Sequence, residues 1–212
     1  MIKHFSKANI QSWERFYRSN FINCLSGFKS ATLIGTTNNV KQTNLSIFSN
    51  VVHLGADPPM IGFINRPKEA APHTIKNIEA TGVYTMNHIH KNFIKQAHQT
   101  SAKYAEGESE FEKAGLTMEW KDNCRAPFVA ESRVKYSMAL TEIIPIKHNS
   151  TFLVIGAVED IFVNENVIDK DGFLHIEKAG SIITLGIDGY YETDLIARFK
   201  YAKPGVETKK IK

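Results

Sequence analysis

The feature that most constrains this chain is a pair of neighbouring segments in its C-terminal half. Val134, Tyr136, Met138, Leu140, Glu142 and Ile144 alternate with Lys135, Ser137, Ala139 and Thr141. Side chains two apart share one face of a strand, so this is the mark of a half-buried strand. Thr151–Val163 follows and is apolar on both faces, as expected where both faces are covered. A chain carrying such a pair must supply further strands to cover it.

The rest of the chain supplies them. Lys29–Thr37 is short, small and β-branched, Asn39 to Asn44 is turn-like, and Leu45–Leu54 reads as a second strand ended by Gly55-Ala56-Asp57-Pro58-Pro59. Met60–Arg66 and Val83–Ile89 are further strands, and Ser181–Ile187 another. Helices are fewer. Ile10, Trp13, Tyr17, Phe21 and Cys24 recur at helical spacing, which predicts one N-terminal helix over 6–26 with Ser6 or Asn9 as its cap and Gly27 as its stop. His73 to Thr81, closed by Gly82, predicts a short helix, and Asn92 to about Gly115 an interrupted one. His175–Ala179 suits a helical turn. The strands do not alternate with helices as βαβ units. The expected fold is therefore mainly β, a closed antiparallel barrel with peripheral helices, in a single domain spanning 1–212.

Composition narrows the function classes. The 212 residues suffice for one well-buried domain. The formal charge is only +4, partly in Lys209, Lys210 and Lys212, and no basic stripe follows any element, which argues against nucleic acid. Two cysteines, Cys24 and Cys124, form no CxxC pair and read as reduced, mostly buried thiols. Met1 to Ser12 does not read as a signal peptide. No apolar run approaches the ~20 residues of a membrane span. A soluble, cytoplasmic protein is expected. GxGxxG, the Walker loop, GxSxG and HExxH are all absent. His88, His90 and His98 lack acidic or thiol partners at ligand spacing, so no metal is expected.

Chemistry concentrates between Thr36 and Gly82. Thr36, Thr37, Asn38, Asn39, Asn44, Ser46, Ser49 and Asn50 supply neutral donors and acceptors. These suit a planar, polar heterocycle, because they pair with its edges without burying net charge. Arg66 ends a strand, and His73-Thr74 opens a helix after Pro72. A helix start offers free N–H groups and a positive dipole end, and Arg66 adds a fork-shaped cation, so the three together could hold a phosphate. Thr74 as a plain cap and Arg66 as a solvated strand end are the competing reading.

The run Asn44-Leu45-Ser46-Ile47-Phe48-Ser49-Asn50-Val51-Val52, then Asp57-Pro58-Pro59-Met60-Ile61-Gly62-Phe63, resembles the flavin reductase-like proteins of the FMN-binding split-barrel superfamily. So do Arg66 through His73-Thr74-Ile75-Lys76-Asn77-Ile78, Thr81-Gly82, Val83-Tyr84-Thr85-Met86-Asn87, and Ala126-Pro127 to Val134. The likeness covers about four fifths of the chain, from Gly27 to about Tyr191, and rests on the order and spacing of these motifs.

The resemblance implies a six-stranded antiparallel split β-barrel of Greek-key type, a homodimer, and FMN near the subunit interface. By position, Asn44, Ser46, Ile47 and Phe48 would edge the isoalloxazine and Ser49 and Asn50 the ribityl chain. Arg66, His73 and Thr74 would hold the phosphate, and Tyr191, or its neighbour Tyr190, would close the site. The implied activity is NAD(P)H:flavin oxidoreduction, hydride passing from nicotinamide to FMN. The flavin carries that chemistry, so no catalytic side chain is expected. The implied partners are NAD(P)H and a monooxygenase or redox partner protein. An FMN-holding electron carrier without direct NAD(P)H activity is the alternative.

Overall fold

The structure is a computed structural model and describes residues 1–105 and 107–211; Lys212 of the basic tail lies outside the described residues. Two short helices open the chain, α1 (Lys7–Ser12) and α2 (Arg15–Leu25). The single helix expected over 6–26 is thus divided. Trp13 is extended (φ −63°, ψ 145°), and the Glu14 carboxylate accepts from the N–H groups of Phe16 and Tyr17, starting a new helix. Ser6 caps α1 with Asn9 in a reciprocal capping box. The aromatic stripe survives the break, because Trp13 packs on both Tyr17 and Phe21.

Then come β1 (Lys29–Ser30), β2 (Thr32–Thr37), β3 (Thr43–Phe48), β4 (Val51–Ala56), β5 (Pro59–Asn65), α3 (Pro72–Thr81) and β6 (Val83–His88). The segment expected as one strand over 45–54 is two, turned at Ser49-Asn50. Next are α4 (Ile94–Gln99), α5 (Glu110–Ala114), and β7 (Met118–Lys121) with β8 (Cys124–Val129), a hairpin the sequence patterns did not reveal. The long strands β9 (Val134–Ile146) and β10 (Thr151–Val163) follow, then β11 (Ile183–Leu185) and β12 (Gly189–Tyr191). Residues 175–179 form a turn, as anticipated.

The main sheet has seven strands in the order β3-β2-β6-β9-β10-β5-β4, all antiparallel. The count exceeds the expected six, as one strand more arises from the turn at 49–50. Its two edge strands, β3 and β4, are consecutive in the chain. The sheet must therefore curl until its edges meet at that turn, which is the split barrel. Across the seam the Phe48 and Phe63 rings meet edge to face, and the β4–β5 ladder runs on into the turn, where Ile64 N–H donates to Asn50 O (3.0 Å).

Alternation along β2 assigns two cores. Leu33 joins Leu45, Ile89, Phe93, Ala97 and Phe111 beneath α4 and α5. Ile34 joins Phe63, Tyr84, Met86, Met138 and Val154, with Ile75 and Ile78 of α3. Close backbone approach explains Gly35, where a Cβ would collide with Pro127 O and lie 2.6 Å from Thr85 Oγ1. Ile144, near the tip of the β9–β10 hairpin, stays exposed, and so does Ile161 at the hairpin's other end, opposite Tyr136. Cys124 is buried, whereas Cys24 is exposed, contrary to expectation.

Candidate functional site

The seam opens into a cleft of about 670 Å³ between β3, the loop into α3, α4 and the C-terminal segment. That volume suits a cofactor-sized ligand. Asn44, Ser46, Ile47, Phe48, Ser49, Asn50, Arg66, His73 and Thr74 all line it, so nine of the ten residues singled out in the sequence converge. Tyr191 does not. It is exposed and packs on Phe28 (5.0 Å between rings), while Tyr190 lines the cleft. Neighbours on a strand face opposite sides, so β12 could offer only one of the two. Thr36, Thr37, Asn38 and Asn39 do not reach the cleft: Thr36 accepts from Asn77 Nδ2 (3.1 Å), and Asn38 braces the β2–β3 hairpin through Gln42 (2.8 Å).

The start of α3 is the most chemically exposed part of the cleft wall. Its N-cap is Ala71, not Thr74, and no side chain caps it. Pro72 at the first position has no N–H to leave orphaned. The N–H groups of His73 and Thr74 remain, with the positive dipole end behind them. Arg66 is exposed beside them, and its guanidinium has no ion-pair or hydrogen-bond partner among the described residues. Asn65, fully buried, shapes this loop by donating to Arg66 O (2.7 Å) and Ala71 O (3.4 Å).

Thr74 turns its hydroxyl to Asn44 of β3 rather than to the helix end, at 3.0 Å. Asn44 in turn meets Glu110 of α5, whose other oxygen accepts Leu45 N–H (2.9 Å). Glu110 is only 5% exposed, and burial raises its pKa above the ordinary carboxylate value, opposed by the Leu45 N–H, by its own N–H and by His73. The sequence reading missed this residue: an acid in the first turn of a helix reads as a solvated dipole partner.

Two more features finish the wall. His98 of α4 and Tyr190 pair at 2.8 Å (Nδ1 to Oη), and the Tyr190 phenol is raised by burial and by Asp188. Thr184, which lines the cleft, carries a buried Oγ1 that has no hydrogen-bond partner among the described residues. Among the described residues no group of three or more His, Cys, Asp or Glu could hold a metal ion. His88 and His90 are spent elsewhere, on Ser181 Oγ (3.2 Å) and on the Asn92 N–H (3.1 Å). No helix among the described residues is long and apolar enough to cross a membrane.

Edge strands joined through a short turn, with a bare helix start set into the seam, define a split-barrel protein with a polar, cation-rimmed cleft. More particularly, the chain belongs to the flavin reductase-like family, whose domain model, "Flavin reductase like domain", matches residues 25–180. That membership makes it a flavin-linked oxidoreductase. A split-barrel protein of Shewanella frigidimarina NCIMB 400 assigned as a flavin reductase shares 48% identity at a TM-score of 0.91, covering 94% of this chain and all of that one (100%). Nitrilotriacetate monooxygenase component B of Bacillus cereus superposes at TM-score 0.80 with 19% identity, over 95% of this chain and 99% of the other, a likeness of fold. An uncharacterized protein of Aquifex aeolicus (strain VF5) is 27% identical over 145 residues, 68% of this chain and 73% of its own.

Proposed function

We propose that the cleft binds FMN and that the protein is an NAD(P)H-dependent flavin oxidoreductase. The observation that carries this reading is the uncapped start of α3, with His73 and with Arg66, unpaired among the described residues, at one end of a cleft whose β3 wall is neutral and polar. One end therefore suits a phosphate and the remainder a planar, uncharged heterocycle. The unpartnered Thr184 hydroxyl fits the same reading, since a buried polar group without a partner is costly unless a ligand supplies one.

On this reading Arg66, His73 and the N–H groups of His73 and Thr74 hold the phosphate. Ser49 and Asn50 border the ribityl chain, and Asn44, Ser46, Ile47 and Phe48 border the ring system. Tyr190 replaces Tyr191 as the closing residue. Bound flavin would supply the redox chemistry as a hydride acceptor. The protein's share is to bind, orient and exclude water from one face, so the wall needs no general base. The exposed apolar tip of the β9–β10 hairpin favours pairing with a second copy, and the chain would work as a cytoplasmic homodimer handing electrons to a monooxygenase or other redox partner.

The test is an absorbance spectrum after FMN loading and desalting, followed by anaerobic NADH and then NADPH. Retained flavin that bleaches with one nucleotide supports the reductase and identifies its donor. Retained flavin that bleaches with neither sinks the NAD(P)H step and leaves an electron carrier.

A further inference from the structure

Glu110, Asn44 and Thr74 form a chain that ends at the proposed phosphate position, and it can be wired in two directions. Asn44 presents one amide atom to Glu110 Oε1 (3.2 Å) and the other to Thr74 Oγ1 (3.0 Å). The oxygen and nitrogen of an amide are nearly isosteric, so the same positions serve either orientation. With Glu110 ionised, its Oε1 can only accept. Asn44 Nδ2 must then donate to it, leaving the Asn44 oxygen facing Thr74. The Thr74 hydroxyl donates inward to that oxygen, which Leu45 N–H also faces at 3.3 Å and so favours over nitrogen at this position, and the hydroxyl lone pairs face the cleft. With Glu110 protonated, the carboxyl donates to the Asn44 oxygen and Nδ2 donates to Thr74 Oγ1. The Thr74 hydroxyl proton is then free to point into the cleft. Leu45 N–H bonds Glu110 Oε2 throughout (2.9 Å).

Resting on the flavin reading above, we infer that this relay sets the affinity of the cleft for the phosphate of its ligand: protonation of Glu110 turns Thr74 from an acceptor into a donor at that end. An anion needs donors, and a hydroxyl presenting lone pairs to it is repulsive. Burial raises the Glu110 carboxyl above the ordinary carboxylate value. The charged and titratable groups around it are few. α3 brings His73, which favours the ionised form. α4 carries the exposed Lys95 and His98, and α5 itself carries the exposed Glu112 and Lys113, the latter paired with Glu108 (2.8 Å). β3 contributes none. By linkage, a phosphate at the α3 start must in turn favour proton uptake at Glu110.

The experiment measures the FMN and riboflavin affinities of the full chain by flavin fluorescence quenching from pH 5.5 to 8, in the wild type, Glu110→Gln and Thr74→Val. Riboflavin lacks the phosphate, so the ratio of the two affinities isolates that end. Glu110→Gln mimics the protonated form, its Nε2 donating to Asn44, and corrects for titration of the phosphate itself. The wild-type ratio is expected to fall about tenfold more than that of Glu110→Gln as pH rises, the worth of one charge-assisted hydrogen bond. Thr74→Val should show the low ratio throughout and lose the extra pH dependence. Parallel curves for wild type and Glu110→Gln, or an extra pH dependence that survives in Thr74→Val, overturn the relay while leaving the flavin site standing. If a wild type with native near-UV circular dichroism binds neither flavin, the flavin reading fails, and the relay fails with it.

Discussion

His88 should make the folded protein sensitive to mild acid. Its ring packs toward Tyr136 and meets Ser181 Oγ at 3.2 Å, and burial lowers its pKa from 6.5 to about 4. The unfolded chain therefore takes up a proton near pH 6.5 that the folded chain refuses until about pH 4. Stability from this residue is complete above pH 6.5 and drains as pH falls toward 4. At pH 5 the unfolded imidazole is almost fully protonated and the folded one is not, so the loss is about 2 kcal/mol, with a limit of on the order of 3 kcal/mol at lower pH. His88→Asn keeps a polar atom for Ser181 and removes the titration. Urea melts of both proteins at pH 7.5 and pH 5 would measure it. The mutant should start less stable by the packing it loses, and then lose about 2 kcal/mol less than the wild type between the two pH values, or roughly 4–8 °C in Tm. Other groups cancel in the difference: His90, also depressed by burial, and Glu110, whose raised pKa acts in the opposite sense. Equal losses in the two proteins would refute the reasoning.

Arg66→Ala should weaken FMN binding by about 10- to 100-fold with little effect on riboflavin, by fluorescence titration, since the residue is exposed and carries no structural pair. Tyr84→Phe should leave stability unchanged or raise it by about 1 kcal/mol in denaturant melts, because the Tyr84 hydroxyl is fully buried and without a partner among the described residues, with its pKa raised by burial. A loss above 1 kcal/mol would mean that the hydroxyl has a partner in solution. Gly35→Ala should cost about 1–3 kcal/mol or prevent folding, because its Cβ meets the Pro127 carbonyl, which a side-chain rotation cannot relieve; solubility and thermal melting would report it.

The strands of the main sheet were legible because burial leaves a period-2 signature, strongest over 134–144. What escaped were features that depend on partners distant in the chain. The α1–α2 break is silent in the stripe, because Trp13, Tyr17 and Phe21 keep helical spacing across it. The β7–β8 hairpin is short, and Lys121-Asp122-Asn123 reads as an ordinary polar loop. The turn at Ser49-Asn50 carried turn residues, yet the apolar run on both sides hid it. In the site, the residues of β3 and the α3 start were visible as local motifs. Glu110 was not, since only the fold brings α5 against β3, 65 residues away in sequence. Tyr190 and Tyr191 differ only in which side of β12 they occupy, a matter of register that adjacent aromatics cannot declare.

The turn at Ser49-Asn50 joins the sheet's first edge to its last, and both of its residues line the cleft. It therefore acts as a spacer gauge. Hydrogen bonds set the distance between every other pair of neighbouring strands, but here the reach of two residues of chain sets the width of the opening. Lengthening this connection would widen the mouth without touching any ladder in the barrel, so relatives could adapt the same scaffold to ligands of different breadth by editing a single turn.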